Sequence, residues 1–82
     1  MVISAARELG PLGISANVVN PGPIDTGWMN DELRGGLASG HPLGRLGTPS
    51  DIAGVVSFLV SAEGRWVTGQ LLHTDGGFSA RF

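Results

Sequence analysis

The stretch Ile14-Ser15-Ala16-Asn17-Val18-Val19-Asn20-Pro21-Gly22-Pro23-Ile24-Asp25-Thr26 places a short β-branched run directly before a turn rich in Pro and Gly. The run begins after Gly13 and does not alternate strictly between apolar and polar residues. A strand that is covered on both faces, as in a parallel sheet, has this composition. The sequence therefore predicts a buried strand over residues 14–20.

A helix and a second strand follow in the second half of the chain. Thr48-Pro49-Ser50-Asp51 supplies a capping hydroxyl, a Pro in the first turn and an acid near the positive helix end, which predicts a helix over residues 49–63. Residues 70–74 form a short strand pattern, closed by the turn signal Asp75-Gly76-Gly77. Strand, helix and strand make a βαβ unit, whose right-handed crossover places both strands parallel in one sheet.

Two segments outside this unit are less regular. Residues 1–10 carry apolar residues at helical spacing until a Gly-Pro pair stops the pattern, so they predict the end of a helix. Residues 21–48 are rich in Gly, Pro, Asp and Asn and contain one weak helical stretch, Trp28 to Ala38, which Gly35-Gly36 is expected to interrupt. A single sequence fits either a lid or a disordered segment here, and the length of the loop favours the substrate lid.

Composition excludes several classes of function. The 82 residues form one small domain at most, or one part of a larger fold. The net charge of -2 provides no basic field, so neither nucleic acid nor an anionic membrane is an expected partner. The longest apolar stretch, residues 55–60, is far shorter than the roughly 20 residues that span a bilayer. Because Cys is absent and the first residues lack the basic leader of a signal peptide, we expect a cytoplasmic protein.

The residue types also exclude several chemistries. All five basic residues are Arg and the chain has no Tyr, so no mechanism that needs Lys or Tyr runs on these residues alone. A Gly-x-Gly-x-x-Gly dinucleotide fingerprint is absent. The segment ending Ser79-Ala80-Arg81 approaches a nucleophile elbow, but Arg81 replaces the final Gly. His41 and His73 lack partners at ligand spacing, so no metal site is expected, and His73 is predicted to be a half-buried strand residue.

The loop after the first strand is the most informative segment. It leaves the carboxyl end of a buried strand, which is where open α/β sheets bind their ligands. Pro21 and Pro23 fix φ, Gly22 lets the backbone approach a ligand closely, and Thr26 supplies a hydroxyl that donates and accepts hydrogen bonds. A second reading stays open on these residues alone: a rigid turn in which Thr26 or Asp25 caps a following helix.

Five blocks of residues, taken in their order and spacing, resemble the short-chain dehydrogenase/reductase family. The similarity is to its bacterial branch of 3-oxoacyl-(acyl carrier protein) reductases in particular. The blocks are Glu8-Leu9-Gly10-Pro11 with Gly13-Ile14, Asn17 to Thr26, Pro42-Leu43-Gly44-Arg45-Leu46-Gly47-Thr48-Pro49-Ser50-Asp51-Ile52-Ala53, Val67-Thr68-Gly69-Gln70 and Asp75-Gly76-Gly77.

The resemblance implies an α/β fold in which residues 1–82 are the C-terminal βαβ part of a Rossmann-like doubly wound parallel sheet. In such enzymes the loop after Pro21 and Gly22 covers the nicotinamide of NAD or NADP, with the Ile24 backbone and the Thr26 hydroxyl holding its carboxamide. The catalytic Tyr, Lys and Ser and the glycine-rich phosphate loop of the family lie before this segment, so no catalytic residue is assigned here.

The resemblance also implies a substrate and partners. The implied reaction transfers hydride between nicotinamide and a small carbonyl or alcohol, under a lid that includes Trp28 and Met29. Helix residues 51–62 and strand residues 70–74 commonly build a subunit interface in the family, which implies a homo-oligomer. A non-catalytic assembly or binding module derived from the same fold is the alternative.

Overall fold

Two parallel strands form the centre of the computed structural model, which describes residues 1 to 80. The chain runs through α1 (Val2–Leu9), β1 (Val18–Asn20), α2 (Asp31–Ser39), α3 (Pro49–Leu59) and β2 (Leu71–His73). Short 3-10 turns lie at Gly10–Leu12, Ala62–Gly64 and Phe78–Ala80. Arg81, named above beside Ser79, lies outside the described residues.

The strand pairing has the geometry that the βαβ pattern predicts. β1 and β2 are parallel, with Val18 opposite Leu71 and Asn20 opposite His73. Just beyond the paired residues, the Thr74 N–H donates to the Asn20 carbonyl oxygen at 2.9 Å. The parallel arrangement is therefore confirmed, and both strands end on the same edge of the sheet.

Both strands are shorter than the predicted ranges 14–20 and 70–74, because side chains replace part of the backbone ladder. The Asn17 amide donates to the Val67 carbonyl oxygen at 3.1 Å and accepts from the Gln70 N–H at 3.1 Å. The Ala16 N–H donates to the Thr68 hydroxyl at 3.0 Å. These contacts continue the association of the two segments without the regular pairing that defines a strand.

Helix α3 begins at the predicted cap. The Thr48 N–H donates to a carboxylate oxygen of Asp51 at 2.8 Å, which is the return half of a capping box. The helix ends at Leu59, although the pattern predicted residues 49–63. The Ser61 hydroxyl donates to the Phe58 carbonyl oxygen at 2.6 Å, and the chain then tightens into a 3-10 turn in which a Cβ on Gly64 would overlap that same oxygen.

Helix α2 differs from the predicted stretch, Trp28 to Ala38, in both its bounds and its continuity. Gly35 and Gly36 do not interrupt it, and the helix is continuous over Asp31–Ser39. The Asn30 side chain accepts the Leu33 N–H at 2.8 Å and so caps the first turn. A good cap with acids in the first turn offsets the low helix propensity of two Gly residues.

Burial is unusual in its distribution. The buried side chains of the described residues are His41, Leu46, Asp75 and Met29, which are 4%, 6%, 7% and 8% exposed, and all lie in loops. The radius of gyration is 15.2 Å, against about 12 Å for a compact domain of this length. Large apolar side chains of the helices and strands are exposed, among them Ile3, Val18, Val56, Phe58 and Leu71. Within residues 1–80 no helix has the length and apolarity needed to cross a bilayer.

Candidate functional site

The loops that follow β1 and β2 meet at the carboxyl edge of the strands. The Gly22 N–H donates to the Asn20 side-chain oxygen at 3.2 Å, and Gly22 has a φ of 62°. A Cβ at Gly22 would lie 2.9 Å from the Cβ of Asp75, closer than real side chains approach. Gly22 is therefore required both by its backbone conformation and by the close passage of the loop after β2.

Ile24 lies in a second contact between distant segments. It forms a parallel bridge with Gly47, and the next residue, Asp25, donates its N–H to the Gly47 carbonyl oxygen at 2.9 Å. A Cβ on Gly47 would come within 3.2 Å of an Ile24 methyl group. This bridge fixes the backbone of the loop against the segment that leads into α3.

The Asp25 carboxylate organises the loop around Thr26. One oxygen accepts the Gly27 N–H at 2.9 Å, and the other accepts the Arg34 Nε–H at 2.7 Å. The Gly27 N–H and then the Arg34 guanidinium hold the pKa of Asp25 below its usual value, so this carboxyl is ionised at neutral pH. The expectation that Asp25 or Thr26 caps the next helix is wrong, because Asn30 occupies that position.

The four residues predicted to hold the cofactor lie in one continuous turn. Pro21, Gly22 and Ile24 are half-buried, and Thr26 is exposed at the outer end of the turn. The two predicted lid residues separate: the Trp28 side chain is 71% exposed, whereas Met29 is buried. The loop thus presents a hydroxyl and an aromatic ring outward while Met29 anchors it inward.

Asp75 is a buried acid, although its sequence context predicts only a turn residue. Its oxygens accept the N–H groups of Gly77 at 3.1 Å and Ser79 at 3.0 Å. Hydrogen bonding to the Ser79 side chain and to these backbone groups lowers the pKa of Asp75 from its ordinary value. The carboxylate therefore shapes the loop after β2 from within, beside Gly22.

His41 is the other buried polar residue that sequence reasoning did not find. Its Nδ1 lies 2.7 Å from the Leu37 carbonyl oxygen, and its ring centre lies 4.7 Å from that of Phe78. Nε2 is buried and has no hydrogen-bond partner among the described residues. His73, predicted to be half-buried, is exposed at the end of β2, because no described layer covers that face.

A small cavity of about 220 Å³ opens beside the end of β2. The Thr74 hydroxyl lines it and, within residues 1–80, has no hydrogen-bond partner. The Arg45 guanidinium borders the same cavity and pairs with both oxygens of Asp51, at 2.7 and 3.0 Å. No group of three His, Cys, Asp or Glu residues suited to a metal ion occurs in the part of the chain that the structure describes.

The chain is similar in sequence to known proteins. A family model described as Enoyl-(Acyl carrier protein) reductase matches residues 1–79. The chain is 53% identical over 75 residues to the uncharacterized oxidoreductase YjdA of Bacillus subtilis (strain 168), covering 92% of this chain and 30% of that protein. It is 44% identical over 77 residues to the 3-oxoacyl-[acyl-carrier-protein] reductase FabG of Escherichia coli (strain K12), covering 90% of this chain and 32% of the other.

Solved structures give the same result. A short chain dehydrogenase family protein from Francisella tularensis superposes with a TM-score of 0.87 at 32% identity, over 99% of this chain and 39% of that one. A blue fluorescent protein from a metagenomic library, solved in complex with NADPH, superposes with a TM-score of 0.86 at 48% identity, over 96% and 33% of the two chains. The predicted α/β class, part of a Rossmann-like sheet, is confirmed. The chain spans about a third of the length of the curated relatives it matches.

Proposed function

Because this chain belongs to the short-chain dehydrogenase/reductase family, we propose that it is the carboxyl-terminal part of an NAD(P)-dependent oxidoreductase. The reaction would transfer hydride between the nicotinamide and a small carbonyl or alcohol. The extent of the family match, residues 1–79, and the share of its relatives that the chain covers, about a third, support this assignment.

The cofactor contribution of the chain centres on the turn from Pro21 to Thr26. Its position at the carboxyl edge of two parallel strands, where open α/β sheets bind ligands, is the single observation that carries the proposal. The Thr26 hydroxyl is exposed, and the Ile24 backbone is held by its bridge to Gly47. Such groups suit the amide of a nicotinamide, which both donates and accepts hydrogen bonds.

The chemistry would be divided between this segment and the rest of the enzyme. When bound, the nicotinamide supplies or accepts the hydride. The residues of this chain would orient the ring, and Trp28 and Met29 would contribute to the cover over the substrate. Proton transfer needs a positioned acid or base, and with neither Tyr nor Lys in the chain we assign that role to residues of the family that precede this segment.

The test is to restore the preceding part of the gene product. We expect an in-frame Tyr-x-x-x-Lys upstream of Met1 and, in the extended protein, carbonyl-dependent oxidation of NADH or NADPH followed at the nicotinamide absorbance. An extended protein with this motif that binds neither NADH nor NADPH would contradict the proposal. The preferred coenzyme of the pair would also be read from this assay.

A second candidate is a non-catalytic assembly module derived from the same fold. It is favoured by the exposed apolar side chains Val56 and Phe58 on α3 and Leu71 on β2. In the enzyme, we propose that the same helix, residues 51–62, and strand, residues 70–74, form a homo-oligomer interface in the cytoplasm. Activity that appears on extension separates the two candidates, since a module that only assembles predicts oligomers without turnover.

A further inference from the structure

The guanidinium group of Arg34 joins three points of the lid. It donates from Nε to Asp25 at 2.7 Å, from one terminal nitrogen to the Met29 carbonyl oxygen at 2.9 Å, and from the other to Asp31 at 2.9 Å. All three acceptors precede Arg34 in the chain. A side chain from the second turn of α2 therefore folds back over the loop that leads into the helix.

The three contacts differ in how much they stabilise the loop. The Asp31 side chain is fully exposed, and an exposed pair three residues apart in a helix contributes little. The Asp25 side chain is only 24% exposed and that of Arg34 37%, and their bond joins two charged groups, which strengthens it relative to a neutral one. The bond to Met29 fixes a backbone carbonyl whose own side chain is buried. The bonds to Asp25 and Met29 are therefore the ones that hold the loop.

Asp25 connects the Arg34 side chain to the turn that holds Thr26. Its N–H is bonded to Gly47, and its second carboxylate oxygen accepts the Gly27 N–H, so the backbone on both sides of Thr26 is fixed. Breaking the pair with Arg34 would release α2 from the turn while leaving the bond to Gly47 in place. The pair thus joins the fixed turn to α2.

We propose that Arg34 is a positioning residue that latches the lid helix α2 to the Thr26 turn through Asp25. The latch deepens the proposed function and rests on it for its role in substrate binding: Arg34 would touch neither substrate nor cofactor but would set how closely Trp28 and Met29 approach the substrate. The pKa of the Asp25 carboxyl is lowered and that of Arg34 is raised, so the latch stays charged through the neutral range.

The first test needs no activity. In the extended enzyme, chymotrypsin cleavage after the exposed Trp28 is followed by mass spectrometry. Cleavage tracks the open population of a segment, so Arg34→Gln and Asp25→Asn are each expected to accelerate it by about tenfold. The double variant should be no faster than Arg34→Gln by more than about twofold, since Arg34→Gln already removes the bond that Asp25→Asn removes. Arg34→Lys keeps the positive charge but lacks the guanidinium group that bonds three acceptors at once. Its cleavage rate should therefore lie between those of the wild type and Arg34→Gln.

Arg65→Gln is the matched control, because the Arg65 guanidinium donates to the Ala62 carbonyl oxygen within its own turn, at 2.6 Å. It should leave cleavage after Trp28 unchanged. Unchanged cleavage in Arg34→Gln, or additive acceleration in the double variant, would overturn the latch.

The second test is kinetic. Arg34→Gln should raise KM for the carbonyl substrate by about tenfold with kcat within about twofold of the wild type, as expected for a group that acts on binding through the lid. Loss of kcat with unchanged KM would overturn the positioning role. If cleavage responds as expected but the wild-type extended protein reduces no carbonyl, the latch stands and the proposed function fails.

Discussion

The two halves of this structure are organised by different forces. The carboxyl edge, which we define as residues 21–48 and 74–78, contains the buried side chains His41, Leu46, Asp75 and Met29. The body, defined as α1, β1, α3 and β2, leaves Val18 and other large apolar side chains exposed. An independent domain normally shows the reverse, with its core between helices and strands and its loops in water.

The difference between the edge and the body has a physical cause. Segments of the carboxyl edge are held by short polar contacts among themselves, such as Asp25 with Arg34 and Asp75 with Gly77. The body has apolar faces that gain stability only when another layer covers them, because removal of apolar area from water is the dominant favourable term in folding. An edge that carries its own contacts can thus be attached to a body that depends on the rest of the fold.

The largest expected effect concerns the whole chain in isolation. We predict that residues 1–82 alone show no measurable NAD(P)H-dependent carbonyl reduction, because proton transfer needs a positioned acid and the Tyr that the resemblance implies for this role is absent from the chain. The measurement is nicotinamide oxidation by a purified, mass-verified sample against a buffer blank. Turnover above the blank would refute the division of labour proposed here.

The second prediction concerns the body. We expect the isolated chain to self-associate, because β1 ordinarily has a neighbour on each edge and here pairs with β2 alone among the described residues. Exposed Val56, Phe58 and Leu71 add apolar surface that favours association. Size-exclusion chromatography with light scattering and thermal melting test this. A monodisperse monomer with a cooperative melt would mean that these residues close their own core.

The body was also the half that sequence patterns predicted well. β-branched runs and the cap at Thr48 locate β1 and α3, since their signals are local and periodic. The strand ends were missed because the Asn17 amide replaces backbone pairing, a contact between residues 50 positions apart. In the carboxyl edge, the prediction that Gly35-Gly36 interrupts a helix was wrong, because helix propensity is a weak prior that the Asn30 cap overrides.

The carboxyl edge was predictable in location but not in its contacts. The Pro and Gly residues after β1 mark a turn at the end of a predicted strand, which is enough to place a candidate site, although the strand itself is not buried among the described residues as predicted. The bond of Arg34 to Asp25 and the burial of His41 have no periodic signature, because they join irregular segments whose geometry depends on several torsions at once. Asp25 and Arg34 lie nine residues apart, and the sequence allows many other pairs of opposite charge.

The third prediction tests whether the close approach of the two loops at the carboxyl edge requires Gly at position 22. In the extended enzyme, Gly22→Ala should destabilise the fold by about 1–3 kcal/mol, since it combines a positive φ with an overlap against Asp75. Gly44→Ala is the matched control: φ is 79° there, but no atom lies within 4 Å of the added Cβ. Denaturant unfolding would measure both. Equal losses would show that backbone conformation alone matters and that the close approach of the two loops does not.

The smallest expected effect concerns a single hydroxyl group of the carboxyl edge, that of Thr26. Thr26 is exposed on a turn whose neighbours are fixed, so its replacement should leave the fold intact and change only what the turn binds. In the extended enzyme we predict that Thr26→Ala weakens cofactor binding by about 1 kcal/mol, roughly a fivefold rise in Kd, the usual net value of one hydrogen bond. Thr26→Ser keeps the hydroxyl and should bind as the wild type does. Nicotinamide fluorescence titration gives both constants, with melting temperature as the check on folding. Unchanged affinity together with an unchanged rate in Thr26→Ala would remove Thr26 from the site and leave the turn a structural element of the edge.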